Sequence, residues 1–229
     1  TKVINEFGKV IVLEDDLVTS RNFLNFMNES LDFYTENSFV FSVSGYAPSI
    51  KKELLDVHDA FFYGRAHSWG WGTWKDRWEN VDWDVSDWER QSKQRDFRKK
   101  IGYYGSDLFK MMQDFLNKRN NSWYVRFTFS QQLLQKYTIY PFSTKVVNIG
   151  FNSDATHCNT FNRSNFDLDK GNNVVFSLPA VVNERKIYQS QMVRYKTIYY
   201  RIGNKFLTFL LKIKLIKQRK AINIYEEIS

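Results

Sequence analysis

A short apolar run that ends in three carboxylates constrains this chain more than any other feature. Residues 9–13, Lys-Val-Ile-Val-Leu, are mostly apolar and β-branched, which is typical of a buried strand. Glu14, Asp15 and Asp16 follow directly, so we expect acidic side chains at the carboxyl end of a strand. Adjacent like charges repel one another unless a counter-ion neutralises them. Hard oxygen ligands suit Mg²⁺ or Mn²⁺, whereas a solvated acidic turn is the alternative.

The residues after the triplet predict a strand, helix, strand unit. Ser20 is placed to cap a helix, and a second apolar run follows at residues 39–44. Such units build parallel sheets with ligand sites outside the carboxyl ends of the strands, which is where the triplet would lie. The apolar positions of the helix recur at helical spacing: Phe23, Leu24, Met27, Leu31 and Tyr34.

The rest of the chain continues as an α/β domain over residues 1–180, followed by a basic, helix-forming tail over 181–229. The sheet is expected to be mixed and flanked by helices. The remaining patterns predict a strand over 60–63, an irregular Gly/Trp-rich segment over 67–74, a helix with a capping box at Ser86 and Glu89, helices over about 107–118 and 123–136, and a short strand over 146–150.

Composition excludes several classes of protein. A hydrophobic fraction of 43% with 17% aromatic residues excludes a wholly disordered chain. The single cysteine, Cys158, cannot form an intrachain disulfide, which favours a reducing, cytoplasmic setting. No run reaches 18 uninterrupted apolar residues, so we expect no membrane-spanning helix.

Positive charge is concentrated near the carboxyl terminus. The net charge is +8, and residues 185–220 hold eleven Lys/Arg and no Asp/Glu. Ile202, Phe206, Leu210 and Ile213 recur there near helical spacing. Such a helix suits the anionic inner face of the cytoplasmic membrane, and equally suits packing on the domain with a solvated basic face. Aromatic residues and positive charge lie in different segments, which disfavours a nucleic-acid partner.

Three segments in this order resemble a known family. Residues 10–17, Val-Ile-Val-Leu-Glu-Asp-Asp-Leu, are similar to the Asp-X-Asp region of GT-A glycosyltransferases, especially bacterial sugar transferases distantly similar to N-acetylglucosaminyltransferase I. Residues 69–78 (Trp-Gly-Trp-Gly-Thr-Trp-Lys-Asp-Arg-Trp) and 146–157 (Val-Val-Asn-Ile-Gly-Phe-Asn-Ser-Asp-Ala-Thr-His) agree with the same family. The resemblance implies a GT-A-like fold, and in that family a nucleotide-binding half precedes the acidic motif, so we expect one upstream of residue 1.

The resemblance also implies site roles. The last acid of the triplet binds the metal in this family, so Asp16 is the expected Mn²⁺ or Mg²⁺ ligand, with Glu14 and Asp15 contacting the nucleotide-diphosphate sugar. Residues 148–157 resemble the loop that closes over the donor. His157 is therefore a candidate for the diphosphate or the metal, because an imidazole serves as a ligand or a charged donor, with Asp154 a weaker candidate beside it.

The tryptophan-rich segment is the other candidate binding feature. Six of the seven tryptophans lie between Trp69 and Trp88. Indoles stack on the apolar faces of sugars, and flanking glycines allow close approach, so Trp69 and Trp71 are the sugar-contact candidates. Packing in a subdomain core is the alternative, above all for Trp74 and Trp78, which are four residues apart.

The general base is not assigned by the sequence. The resembled enzyme carries a carboxylate after a tryptophan at the start of a late helix, but residues 122–126 here read Ser-Trp-Tyr-Val-Arg. Asp84, Asp87 and Asp107 are the nearest acidic alternatives, so base and stereochemistry stay open.

The function that these residues favour is metal-dependent transfer of a sugar to a glycan or lipid-linked glycan acceptor. The resemblance alone places that transfer in bacterial surface polysaccharide or lipopolysaccharide synthesis. A non-catalytic carbohydrate-binding module, using the tryptophans without the carboxylates, is the competing interpretation, and dependence on a divalent metal separates the two.

Overall fold

The computed structural model describes residues 1–55, 57–150, 168–194 and 196–216, and shows a mixed α/β fold with a mixed sheet flanked by helices. The strands are β1 (Lys9–Val12), β2 (Leu17–Thr19), β3 (Val40–Ser44), β4 (Ala60–Tyr63), β5 (Trp71–Trp74), β6 (Tyr137–Pro141) and β7 (Val146–Asn148). The helices are α1 (Lys2–Phe7), α2 (Phe23–Phe33), α3 (Lys75–Glu79), α4 (Trp88–Ser92), α5 (Arg95–Tyr103), α6 (Leu108–Leu116), α7 (Trp123–Leu133), α8 (Lys186–Arg194) and α9 (Ile198–Lys212), with one 3-10 turn at Lys52–Leu54.

The main sheet has five strands in the order β1-β5-β3-β6-β4. β5 pairs antiparallel with β1 on one side and with β3 on the other, so β1 and β3 run in the same direction without touching. β3 and β6 form the parallel pair, and β4 closes the edge antiparallel to β6. The predicted strand, helix, strand unit is therefore present, but a later antiparallel strand is inserted between its two strands.

The segment over residues 67–74 corrects the expectation of irregular structure. Residues 71–74 form β5, an interior strand of the five-stranded sheet, and all four are buried. Trp71 and Trp74 point to opposite faces, since they belong to different apolar clusters. Burial on both faces removes the polar positions that normally reveal a half-exposed strand, which explains why the Gly/Trp pattern was misleading.

The two faces of the sheet are covered by different helices. α2 covers one face with Phe23, Met27 and Leu31, as the helical spacing predicts. Leu24 is wrongly placed in that stripe, because it is 57% exposed. Helices α5 to α8 cover the other face and pack against Phe61, Tyr63 and Tyr140 of β4 and β6, among others. Alternation along each strand thus supplies both cores.

The predicted helix starts are shifted. Asn22 is the cap residue of α2, and the Ser20 hydroxyl donates to the Asn22 side chain at 2.8 Å instead of capping the helix. The capping box is absent from α4, because the helix begins at Trp88 and the Ser86 hydroxyl donates to Asp82 at 3.1 Å. The predicted helices near residues 107–118 and 123–136 are confirmed as α6 and α7.

The basic tail divides into two unlike helices. α8 places Tyr188 and Met192 in the apolar cluster beside β4. α9 has no buried residue, and its large apolar side chains at 202, 206 and 209 are each more than half exposed. Among the described residues, no helix combines the length and the apolar character needed to cross a bilayer.

Candidate functional site

The acidic triplet lies in the turn that joins β1 to β2, at the carboxyl end of β1. Glu14 and Asp15 are exposed and Asp16 is half-buried. The Leu17 backbone N–H donates to the Glu14 carbonyl at 3.3 Å, which closes the turn. β2 then pairs antiparallel with β7, with Leu17 opposite Asn148. Two separate strand pairings, β1 with β5 and β2 with β7, therefore hold the two ends of this turn.

Asp16 is oriented by the residues that end β7. The Asn148 side-chain amide donates to Asp16 Oδ2 at 2.9 Å, and the Ile149 N–H donates to the Asp16 carbonyl at 2.9 Å. The Gly150 N–H in turn donates to Asn148 Oδ1 at 2.8 Å. A Cβ at position 150 would stand 2.6 Å from Asp16 Oδ2, so only glycine allows this close approach.

The second oxygen of Asp16 lacks a hydrogen-bond partner among the described residues. Oδ1 is buried and accepts no hydrogen bond from any described residue. A buried carboxylate oxygen without a donor is costly unless a cation or another ligand satisfies it. This orphaned atom is the observation in the structure that points most directly to a bound cation.

Negative charges also repel one another within the turn. Partial burial, followed by the nearby charges of Asp16 and Asp15, raises the pKa of Glu14 above its ordinary value. A divalent cation would relieve this repulsion. No group of three or more His, Cys, Asp or Glu side chains able to hold a metal occurs in the described part of the chain. One carboxylate still fits Mg²⁺, which is commonly bound through one or two carboxylates together with substrate phosphates and water.

Gly70 joins the tryptophan segment to this end of the sheet. Its backbone is left-handed (φ +54°), and an added Cβ would lie 2.7 Å from a Val146 methyl group and 3.4 Å from Leu13. Its carbonyl accepts from the Gly45 N–H at 2.6 Å. Three parts of the chain therefore meet here: Leu13 before the acidic turn, Gly70 before β5, and Val146 of β7.

Trp71 belongs to the core. It is 4% exposed and stacks on Trp123 and Trp78, with ring centroids 4.7 Å and 6.2 Å away. Val12, at the end of β1, packs against the same cluster. The sequence pattern favours Trp71 as a sugar contact, but the structure gives it a packing role beneath the acidic turn.

Trp69 instead lies in a half-buried aromatic trio with Tyr46 and His67. Tyr46 and His67 stack at 4.1 Å between centroids, and Trp69 meets both edge to face at 4.9 Å and 5.1 Å. The backbone N–H of Trp69 donates to His67 Nδ1 at 3.2 Å. Burial, then the charges of Lys196 and Arg65, lowers the pKa of His67 well below its ordinary value. A neutral ring that accepts at Nδ1 carries its proton on Nε2, where it can donate to a ligand.

The three base candidates occupy different environments. Asp84 is exposed and, within the described ranges, makes no ion pair. Asp87 pairs with Arg90 on the surface, and the hydrogen bond from Arg90 lowers its pKa. Both oxygens of Asp107 accept from the guanidinium of Arg65 at 2.9 Å.

Asp107 is poorly suited to take a proton. Burial raises its pKa, but the hydrogen bonds and charge of Arg65 outweigh that effect and leave the pKa below its ordinary value. Its carboxylate is therefore a paired structural group. Asp154 and His157 lie outside the described residues.

Several residues of the site escaped the sequence reasoning. Asn148 and Gly150 stand inside the resembled segment at 146–157, but nothing in their spacing from Asp16 indicates a contact across 132 positions. Tyr46 and His67 carry no motif at all. Their meeting with Trp69 depends on the insertion of β5 beside β3, which local pattern does not encode.

No protein-family model matches the chain, and no curated protein matches it.

Proposed function

We propose that this chain is the catalytic, acceptor-binding part of a GT-A glycosyltransferase that depends on Mn²⁺ or Mg²⁺. The reaction would move a sugar from a nucleotide-diphosphate sugar to a glycan or lipid-linked glycan acceptor. The resemblance places it in bacterial surface polysaccharide or lipopolysaccharide synthesis. The structure shows a mixed α/β fold with a mixed sheet. Membership of the GT-A class is part of this proposal.

The observation that carries this proposal is the convergence of the three resembled segments on Asp16. Residues 10–17, 69–78 and 146–157 are far apart in sequence, yet the first pairs with the second through β1 and β5 and with the third through β2 and β7. An unrelated acidic turn has no reason to collect both other segments. The orphaned Oδ1 of Asp16 then supplies the ligand atom.

A divalent cation at this position would stabilise the negative charge that develops on the departing nucleoside diphosphate. Asp16 would hold it, and Asn148 would keep the Asp16 carboxylate in one orientation through Oδ2. Glu14 and Asp15 would contact the donor, because they are exposed on the same turn.

The aromatic trio would bind a sugar ring. Trp69 and Tyr46 are half-buried, so they combine a fixed orientation with an accessible surface. His67 would donate from Nε2 to a sugar hydroxyl. Trp69 is chain neighbour to Gly70, which touches the base of the acidic turn, so the trio and the carboxylates belong to one end of the sheet.

Helix α9 supports an acceptor at a membrane surface, on the inner face of the cytoplasmic membrane. Its exposed apolar side chains at 202, 206 and 209 recur along one side, and Lys205 and Lys212 flank them. Apolar burial combined with basic residues is the usual way that an amphipathic helix binds anionic lipid.

The test is Mn²⁺ binding with and without a nucleoside diphosphate, followed by turnover of a panel of nucleotide sugars. Asp16→Asn keeps the size of the side chain and removes its charge, and should lower both Mn²⁺ affinity and metal-dependent turnover. Asp96→Asn, on an exposed position of α5, removes the same charge elsewhere and should leave both unchanged. Unchanged Mn²⁺ affinity in Asp16→Asn would overturn the proposal and favour a carbohydrate-binding module.

A further inference from the structure

A basic groove runs along α9 where that helix faces the start of α6. Its volume is about 640 Å³, and its charged lining consists of Lys196, Arg201, Lys205, Lys212 and Asp107. The spacing of the three α9 cations, at 201, 205 and 212, places them on one side of the helix. The exposed apolar residues at 198, 202, 206 and 213 follow a different stripe.

Within the described residues, the lining of this groove holds more positive than negative charge. Asp107, the acidic residue in the lining, is already bound through both oxygens to Arg65, which is 3% exposed. Within the described residues, none of the four cations of the groove makes an ion pair. Like charges gathered around a concave surface repel one another and favour a multivalent anion.

The inner end of the groove is fixed to the fold. The Ser106 hydroxyl donates to the Lys196 carbonyl at 2.9 Å and accepts from Arg201 at 3.2 Å. This connects the groove to the loop before α6. The buried Oδ1 of Asn204, also in the lining, has no hydrogen-bond partner in the described residues. The groove is therefore held in shape by contacts with the domain even though α9 itself is not buried.

The same end of the groove lies beside Arg65, which is two residues before His67 of the aromatic trio: a Cβ added to Gly105 would stand 2.3 Å from Arg65 Nη1 and 3.1 Å from Lys196 Cβ. The charges of Lys196 and Arg65 both lower the pKa of His67. Lys196 itself is affected, because burial and then the charge of Arg65 lower its pKa to about 8, partly opposed by Asp107. A negatively charged group in the groove would thus lie beside the ring cluster that we assign to a sugar.

We propose that this groove binds the phosphate or diphosphate group of the acceptor, so that the sugar next to that group reaches the aromatic trio. The inference rests on the proposed glycosyltransferase function and specifies its acceptor class: a glycan carried on a phosphate. Four cations can surround the two negative charges of a diphosphate that carries a sugar at one end and a lipid at the other, and the exposed apolar stripe on α9 suits that lipid.

The first experiment measures binding of inorganic pyrophosphate to the full chain by titration calorimetry, without metal or donor. Arg201→Gln with Lys205→Gln removes two groove charges, and Lys2→Gln with Lys99→Gln removes two exposed charges elsewhere. The groove variant loses two of the four positive charges of the lining, so it should bind pyrophosphate about tenfold more weakly or worse. The control variant should bind as the unaltered chain does, and thermal melting should be unchanged in both.

The second experiment identifies the source of the phosphate. Sedimentation compares phosphatidylcholine vesicles that contain a polyprenyl diphosphate with vesicles that contain phosphatidylglycerol at equal surface charge. Preference for the diphosphate lipid, lost in the groove variant, supports a lipid-linked acceptor. Binding of pyrophosphate without such preference supports a soluble phosphorylated acceptor.

The pH dependence provides a further check. Lys196 is faced by Arg65, Asp107 and His67 from the domain and by Arg201 from α9. Binding of an anion is favoured by the protonated amine, so the contribution of Lys196 to pyrophosphate affinity should be complete below about pH 8 and be lost above it. The groove variant should retain this trend at lower affinity.

Three results would overturn the inference. One is equal weakening by the groove and control variants, which would indicate diffuse attraction. Another is absence of pyrophosphate binding. The third is tighter binding of a single-stranded oligonucleotide through the same cations, which would make the groove a nucleic-acid site. Asp16→Asn separates this test from that of the proposed function, because loss of Mn²⁺ binding in that variant leaves pyrophosphate binding intact if both proposals hold.

Discussion

The acidic turn and helix α9 both concentrate charge of one sign, but they are attached to the fold in opposite ways. The turn at 14–16 is held by strand pairing at both ends and rests on the buried tryptophan cluster around Trp71. Helix α9 has no buried residue, and Ser106 attaches it to the domain through hydrogen bonds with Lys196 and Arg201. The acidic turn is thus anchored to the sheet and its core, whereas α9 lies on the surface of the domain.

Because of this difference, we expect substitutions in the two regions to change different properties of the protein. Substitutions beneath the turn should affect folding first, because they remove packed side chains. Substitutions on α9 should affect binding first, because they remove charge or apolar surface that faces solvent. The four predictions below run from the largest expected change in free energy to the smallest.

Trp71→Ala should give the largest loss of stability. Truncating a buried tryptophan to alanine typically costs about 3–5 kcal/mol, and Trp71 is packed among two other indoles and Phe127. Denaturant unfolding monitored by fluorescence measures the loss. Trp69→Ala is the matched control, and its half-buried ring should cost clearly less while weakening sugar binding. Equal losses of stability in the two variants would contradict the assignment of Trp71 to the core and of Trp69 to a half-buried binding surface.

Asp107→Asn should give the next largest loss of stability, about 3 kcal/mol, because it leaves the buried Arg65 guanidinium without its counter-charge. The folded pKa of Asp107 is lowered, so its contribution is complete above the ordinary carboxyl pKa near 4 and is lost as the pH falls through the lowered value. Acid unfolding of the variant should therefore depend less on pH in that range. Asp96→Asn serves as the control, and a pH profile unchanged by Asp107→Asn would contradict the ion-pair assignment.

Asn148→Ala should lower Mn²⁺ affinity by about 10–100-fold with a small loss of stability, because second-sphere partners orient metal ligands. Paramagnetic resonance of free Mn²⁺ measures the affinity. Asn148→Gln keeps an amide but displaces it, and should recover part of the binding at most. Wild-type affinity in both variants would show that the amide does not orient Asp16.

Ending the chain at Thr197 should have the smallest effect on stability, under about 1 kcal/mol, since α9 contributes no buried side chain. Binding to anionic vesicles should be lost. The paired substitution Ile202→Gln and Phe206→Gln, on exposed positions outside the groove, should reduce vesicle binding without removing the helix. Undiminished sedimentation of both variants with vesicles would sink the membrane role, and collapse of the truncated fold would show that α9 is structural.

Local pattern was sufficient for much of the fold. The apolar stripe of α2 and helices α6 and α9 follow directly from spacing, because each presents an apolar face at a period of 3.6 residues. Helix α7 is different, because it is buried on most sides and carries no such stripe. The strand before Glu14 was equally clear, because an apolar β-branched run ends abruptly in carboxylates.

Long-range pairing was the part that pattern did not reveal. The place of β5 between β1 and β3 is set by packing of Trp71 and Trp74 on opposite faces, and neither residue shows which strand it will join. The same holds for Asn148 beside Asp16. The sequence also did not show that Trp71 is buried and Trp69 only half-buried, because the two indoles are separated by one glycine and differ only in their three-dimensional surroundings.

The pairing of β1 with β5 and of β2 with β7 also has a consequence for the order of folding. The first joins residues 9–12 to 71–74, and the second joins 17–19 to 146–148. Closing such long loops is slow compared with forming α2, which lies next to the turn. A nascent chain that has not yet emerged past residue 148 can form α2 and much of the sheet, but Asp16 still lacks Asn148. The acidic turn therefore acquires its final geometry only after residue 148 has been synthesised and β7 has paired with β2.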